Sequence, residues 1–247
     1  MLIYGFHSVG SRLKRAAATI EELYVDGGRQ DPRMRELLAL AKERGVATHV
    51  VDNQRLDRMA PQRRHQGVVA IAQAAIPRVD LDELLDGLGE PPLLLLLDGV
   101  TDPRNLGACL RAADGAGAHA VIAPKDRAAS LNEAAIQTAS GAAESVPYVT
   151  VTNLARTMRI LQDEHGVFLV GTADDAPMSL HEARMPAALG LVLGAEGQGM
   201  RRLTREGCDQ LVRIPMAGQV SSLNVAVAAG VVLYEAVRQR AAPSPSG

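Results

Sequence analysis

The run LVRIPMAGQVSSLNVAVAAGVVLYEAVRQR, residues 211–240, decides how the rest of the chain is read. It opens on a short strand-like pattern ending at Ile214-Pro215, crosses a small-residue loop from Met216 to Val220, and enters a long apolar helix pattern over 221–240. Ser221, Ser222 and Asn224 stand at the head of that helix, where the first turn leaves backbone N–H groups without partners. A helix start of this kind takes either a capping side chain or a polar ligand, and Ser221 or Ser222 alone satisfies both readings. Two earlier glycine-bearing turns of the same design favour the ligand.

The first is LLLLLDGVTDPRNLGACLRAADGAGA, residues 93–118. A buried strand ends at Asp98-Gly99, a turn with Asp102-Pro103 follows, and Asn105 is placed to cap a helix carrying Arg111 roughly two turns on. Arg111 lies among Leu, Ala and Gly, where an unpartnered charge is costly; a salt bridge to Asp98, Asp102 or Asp114 is the structural alternative. The second turn is LGLVLGAEGQGMRRLTREGC, residues 189–208, in which a strand runs into Gly194-Ala195-Glu196-Gly197-Gln198-Gly199. Glycines there let backbone approach a ligand closely, with Glu196 at the tip. The order GxxGxG is not the dinucleotide fingerprint, no acidic residue follows at the required spacing, and the absence of GKS or GKT excludes a Walker loop.

Around these turns, apolar runs at 93–98, 119–124, 146–149, 168–172, 188–194 and 211–215 alternate with helical patterns at 105–116, 131–141, 152–164, 199–205 and 221–240. The alternation predicts an α/β domain with a parallel sheet covered on both faces, over residues 93–240. All three turns fall at C-terminal ends of strands, where open α/β sheets bind ligands. Residues 1–75 form a separate small α/β module, with helices expected over 7–17 and 31–45 and strands over 22–26, 46–52 and 67–73. Asp31 as cap, Pro32 at the first helical position and Gly45 as stop delimit the second helix. Residues 76–92, acidic and bracketed by prolines, read as a linker with a helical turn or two, and AAPSPSG, 241–247, as a disordered tail.

The net charge of −2 divides into +4 over residues 1–75, −4 over 76–90 and −2 over 91–247. A mildly basic first module is compatible with RNA contact. Only 3 of the 26 basic residues are Lys, which suits bidentate phosphate contacts but equally reflects a GC-rich genome. With two Phe, four Tyr and no Trp, stacking of bases on aromatic platforms is not the main mode of binding. No apolar run is long enough to span a bilayer and no signal-peptide pattern opens the chain, so a cytoplasmic location is expected. Cys109 and Cys208 lack CxxC or Cys/His spacing and the six His do not cluster, so neither zinc nor another metal is expected. His65, beside Arg63-Arg64, reads as part of a solvated loop or as an RNA contact; Arg201, Arg202 and Arg205 read as an exposed basic edge or a solvated helix face.

In order and spacing, Asn105-Leu-Gly-Ala-Cys-Leu-Arg111, then LVLGAEGQGM, then IPMAGQVSSLNVAVAAG, resemble the three motifs of the SpoU/TrmH family of RNA ribose 2′-O-methyltransferases. The resemblance spans residues 2–240 and extends to Tyr4-Gly-Phe-His-Ser-Val, His65-Gln66-Gly67, 98–127, 141–158 and 199–209. Within the family it is strongest to bacterial enzymes that methylate a 23S rRNA guanosine. What this implies is a catalytic domain of the SPOUT type, its chain threaded through a deep trefoil knot, behind an N-terminal substrate-binding domain similar to ribosomal-protein L30. It further implies S-adenosylmethionine as cofactor, held at Gly194, Ile214 and Leu223, and an active site made of Asn105, Arg111, Glu196, Ser222 and Asn224. The implied partners are 23S rRNA or the large-subunit precursor and a second copy of the chain packed through the helix after the third motif, with no membrane and no DNA. A tRNA guanosine 2′-O-methyltransferase of the same family and a non-catalytic RNA-binding protein with this fold are the alternatives; the latter would be expected to have lost Arg111 or Asn224.

Overall fold

The computed structural model describes residues 2–61, 64–72 and 79–241, the side chain of Arg15 apart. Of the tail expected over 241–247, Ala241 is helical instead; residues 242–247, the first residues of the linker, Arg63 and the last residue of the strand expected over 67–73 lie outside the described residues. The chain divides into two compact units, Met1–Pro77 and Arg78–Gly247.

In the first unit, β1 (Leu2–Tyr4), β2 (Ile20–Asp26), β3 (Thr48–Val51) and β4 (Val68–Ala72) form one sheet in the order β1-β4-β2-β3. Only the β2–β3 pair is parallel. Alternation along β2 sends Leu23 and Val25 to one face, against α1 (Phe6–Ala16) and α2 (Pro32–Glu43), and Tyr24 to the other, with Leu56 of α3 (Asn53–Met59). Helix α2 begins as its sequence dictates: Asp31 accepts from the Arg33 and Met34 N–H groups at 3.1 and 3.3 Å, and Pro32 occupies the first turn. Strand β1 and helix α3 leave no periodic pattern in the sequence, because the first is three residues long and the second buries a single side chain. His65 is neither solvated nor placed for RNA: it is 6% exposed, its Nε2 lies 2.9 Å from Asp57 and its Nδ1 accepts the Gly67 N–H. It fixes the turn into β4.

In the second unit, after α4 (Leu81–Asp86), β5 (Leu93–Asp98), β6 (Ala120–Pro124), β7 (Tyr148–Val151), β8 (Phe168–Thr172), β9 (Met178–Ser179), β10 (Leu189–Gly194) and β11 (Gln210–Arg213) form a seven-stranded sheet, ordered β7-β6-β5-β10-β8-β11-β9. Every pairing is parallel. The strand β5 explains why the run Leu93–Leu97 is apolar throughout. Leu93, Leu95 and Leu97 join the face covered by α5 (Pro103–Gly115), α6 (Glu133–Ala139) and α9 (Val225–Ala241), whereas Leu94 and Leu96 join the face covered by α4 and α7 (Leu154–Asp163). Each of these side chains contributes about 2 kcal/mol by leaving water. Strands β5 and β10 are central neighbours in register Leu93↔Leu189 through Asp98↔Gly194, so the first two glycine-bearing turns leave the sheet side by side. No helix among the described residues is long and apolar enough to cross a membrane.

Two helix starts differ from expectation. Asp102, not Asn105, caps α5 by accepting the Arg104 N–H at 2.8 Å, which frees the Asn105 side chain. Helix α9 begins at Val225, with Asn224 Oδ1 accepting the Ala226 and Val227 N–H groups at 3.0 and 3.4 Å; Ser221 and Ser222 remain in the preceding loop.

Candidate active site

The turn after β10 is closed by mutual hydrogen bonds between Ala195 and Gly199, at 3.1 and 2.9 Å. It presents Glu196, whose Oε1 receives three donors: Asn224 Nδ2 at 2.7 Å, the Val225 N–H at 3.1 Å and Asn105 Nδ2 at 3.2 Å. Asn224 Nδ2 also reaches Asn105 Oδ1 at 3.0 Å. A carboxylate thus takes an otherwise orphaned N–H at the start of α9 and ties together residues from all three motifs. Separations of 119 and 91 residues along the chain make this a tertiary device, set by the adjacency of β5 and β10.

A second tie lies below it. Asp98, 1% exposed at the end of β5, accepts the Arg201 backbone N–H at 2.8 Å and its Nε at 2.6 Å. The basic edge expected on the helix α8 (Arg202–Glu206) is therefore neutralised: Arg201 serves Asp98, Arg202 pairs with Glu206, and Arg205 meets Asp175 through two bonds at 2.8 and 3.0 Å. The Arg205 guanidinium lowers the Asp175 carboxyl below its usual range. Replacing Asp98 by Asn removes the charge-assisted bonds while keeping the shape. The expected loss is about 1–3 kcal/mol, a fall in melting temperature of roughly 2–4 °C per kcal/mol. An unchanged melting curve of Asp98→Asn would show that the tie does not hold the turn.

Two cavities open on either side of Glu196. One, of about 210 Å3, is lined by Gly194, Ala195, Ile214, Met216, Ser221, Ser222 and Leu223, with Thr172 and Asp174 at the end of β8. Among the described residues, no backbone N–H from Met216 to Leu223 donates within the chain, so this loop offers a row of donors beside an apolar wall. A Cβ on Gly194 would overlap the backbone of Gly199 and Met200, so the glycine is what allows the turn to fold back over the strand end. Free backbone donors, an apolar slot and small hydroxyls suit an adenosine carrying an amino-acid tail. Gly194, Ile214 and Leu223, the cofactor positions that the resemblance implies, all line this cavity. The other cavity, about 430 Å3, is lined by Asp98, Thr101, Asp102, Asn105, Arg127, Gln198 and Arg201. It is wide enough for a nucleotide.

Arg111 joins neither cavity. It is exposed on α5, on the side opposite the buried stripe of Leu106, Cys109, Leu110 and Ala113, so the expectation of a charge among apolar neighbours is corrected. Nor does it meet the carboxylates considered for it, since Asp98 is taken by Arg201 and Asp102 caps α5. Glu196 and Asn105, which the resemblance groups with Arg111 in one active site, bind each other and Asn224. Burial, with the Glu196 charge adding to it, pushes the Cys109 thiol up to about 12, which removes it as a nucleophile at neutral pH. Among the described residues no group of three His, Cys, Asp or Glu is disposed to hold a metal.

Residues 92–234, which contain all three glycine-bearing turns, match the SpoU rRNA Methylase family. The chain belongs to that family. Residues 2–77 match a second pattern, RNA 2'-O ribose methyltransferase substrate binding, so the SpoU architecture here includes an N-terminal substrate-binding domain. Among SpoU relatives, the 23S rRNA (guanosine-2'-O-)-methyltransferase RlmB of Ralstonia nicotianae is 59% identical over 239 residues, covering 97% of this chain and 96% of its own. Its namesake in Escherichia coli is 52% identical, covering 97% and 98%. The crystal structure of the SpoU methyltransferase AviRb from Streptomyces viridochromogenes in complex with the cofactor AdoMet superposes with a TM-score of 0.78 at 29% identity, covering 97% of this chain and 90% of that one.

Proposed function

We propose that the protein methylates the ribose 2′-oxygen of a guanosine in 23S rRNA, in the peptidyl-transferase-centre loop, using S-adenosylmethionine. The broader part follows from membership: it is an S-adenosylmethionine-dependent rRNA methyltransferase. The observation that supports methyl transfer at this site is the Glu196–Asn105–Asn224 junction between a small cavity with a row of backbone donors and a nucleotide-sized one; the guanosine and the 23S rRNA are taken from the relatives. Gly194, Ile214 and Leu223 would hold the cofactor, which supplies an electrophilic methyl on a sulfonium. As the ribose oxygen forms its bond to the methyl carbon, the carbon–sulfur bond breaks and its electron pair stays on sulfur. The hydroxyl proton leaves to a phosphate oxygen or water.

Arg111 is no base, because a guanidinium does not deprotonate in proteins. Its role in this reading is to grip the phosphate beside the target ribose and lower the pKa of the hydroxyl. Ser222 and Asn224 hold the loop and the substrate, and most of the acceleration comes from positioning. The protein acts as a homodimer, packed through α9, whose outer side exposes Val227 and Tyr234. The Tyr234 hydroxyl donates to the Gly115 carbonyl, one turn along α5 from Arg111. Arg111 thus borders the surface that a second copy covers, and serves that copy's cavity. The reading further includes a deep trefoil knot through the second and third motif loops, an L30-like first domain and a cytoplasmic location.

Nuclease mapping with mass spectrometry of rRNA from cells with and without the gene tests the assignment. One 2′-O-methylguanosine is expected to vanish from that loop and return with a plasmid-borne copy. Persistence of every ribose methyl in 23S rRNA, or a loss confined to tRNA, would overturn it in favour of an idle or a tRNA-directed member.

A further inference from the structure

Arg127 is the cation of the larger cavity that no carboxylate among the described residues engages. It is exposed, and it follows β6 in a loop that holds it at the cavity rim. Lys125 N–H donates to the Val151 carbonyl at 2.8 Å, and Ala129 N–H to the carbonyl of Val100, itself in the cavity wall, at 2.7 Å. The Tyr148 hydroxyl donates to the Ala129 carbonyl at 2.8 Å from the other side. Burial pushes that hydroxyl up to about 12, so it remains a donor at any working pH. Between these fastenings Arg127 takes a left-handed backbone conformation, φ +57, which is uncommon for a residue other than glycine.

The charges of the cavity say what such an arginine is for. Its wall carries three carboxylates, Asp98, Asp102 and Glu196, and two guanidinium groups. Arg201 is consumed by Asp98. Asp102 and Glu196 accept only neutral donors, which leaves Arg127 as the one guanidinium in this wall, among the described residues, whose charge no carboxylate takes up. We infer that Arg127 binds a backbone phosphate next to the nucleotide lodged in this cavity, supplying within one chain the contact that admits RNA to the site. This rests on the methyltransferase reading above and adds to it a residue that no motif contains.

The test uses the full-length protein, 23S rRNA from cells lacking the gene, and Arg127→Ala beside Arg127→Lys. For Arg127→Ala, KM for RNA is expected to rise tenfold or more, as for one lost charge-assisted phosphate contact, with kcat within about threefold. S-adenosylhomocysteine binding and melting temperature should stay as in the wild type, since Arg127 is outside the cofactor cavity. The slope of log affinity against log salt should fall by about 0.7–0.9, the value of one phosphate, and Arg127→Lys should recover most of the KM. An unchanged KM in Arg127→Ala overturns the inference. So does a lysine variant as poor as alanine with the salt slope intact, which would mean a planar fork reading a base edge. Were the wild type to transfer no methyl to 23S rRNA, the functional reading would fail, while the salt slope of RNA binding would still decide on Arg127.

Discussion

Arg111→Ala is expected to lower kcat on 23S rRNA by about a thousandfold, the scale for removing one positioned group that acts on the developing charge. The same variant should keep its melting temperature and its affinity for S-adenosylhomocysteine. Arg111 is exposed, pairs with no carboxylate among the described residues and lines neither cavity, so its removal leaves no buried group unsatisfied. Arg111→Lys separates the two things a guanidinium supplies: a largely retained rate would show that a point charge suffices and the planar fork is not needed. The proposed sharing across a dimer makes a sharper expectation. Arg111→Ala and Asn224→Ala chains, each inactive alone, should regain about a quarter of wild-type activity when unfolded together and refolded, because half the dimers then carry one complete site. If Arg111 served its own chain's cavity, both sites of every mixed dimer would be broken and mixing would restore nothing.

What the residue order disclosed and what it hid follow from range. Continuous apolar runs such as Leu93–Leu97 and Leu189–Leu193 announce strands buried on both faces, and the sheet has them within a residue or two of where they were read. Strand β9 has two residues and no pattern to detect. Asn105 suits a cap by its type, yet the Asp102-Pro103 pair just before it takes the helix start and leaves Asn105 for Glu196. At α9 the difference is of the same kind: Ser221 and Ser222 suit a cap, but Asn224, two residues beyond them, takes the helix start. Arg111 departs from its sequence surroundings for a different reason. Its neighbours in sequence are apolar, but at 100° per residue Leu106, Cys109, Leu110 and Ala113 share one stripe and Arg111 turns away from it, so counting periodicity would have exposed it. The Asp98–Arg201 tie spans 103 residues and Arg127 sits in no motif; only the sheet order brings either to the cavity. Local patterns are written in the chain, whereas polar contacts at long range depend on which strands become neighbours.

Gly194→Ala should be the most damaging single methyl group that can be added to the site. Gly194 stands opposite Asp98 in the sheet, and a Cβ there would lie within the carbonyl carbon of Gly199 and the nitrogen of Met200. Those are backbone atoms, which no rotamer change can move aside. The turn must open, which breaks the paired bonds between Ala195 and Gly199 and shifts Glu196 away from Asn105, Asn224 and the Val225 N–H. Arg201 leaves Asp98 by the same movement, so both cavities distort together. The expected cost is about 3 kcal/mol of stability, within the range for overpacking a tight site, seen as a fall of roughly 6–12 °C in melting temperature. S-adenosylhomocysteine affinity, measured by calorimetry well below that temperature, should drop a hundredfold or more, about 2.8 kcal/mol. Gly197→Ala is the control. Gly197 has φ +75 but nothing within 4 Å of an added Cβ, so it pays only the strain of a left-handed alanine, about 1 kcal/mol, and should bind the ligand nearly as the wild type does. Equal losses in the two variants would mean that the turn needs glycine for its backbone angles throughout, and that the close approach of Gly194 to Gly199 does not shape the cavity proposed for the cofactor.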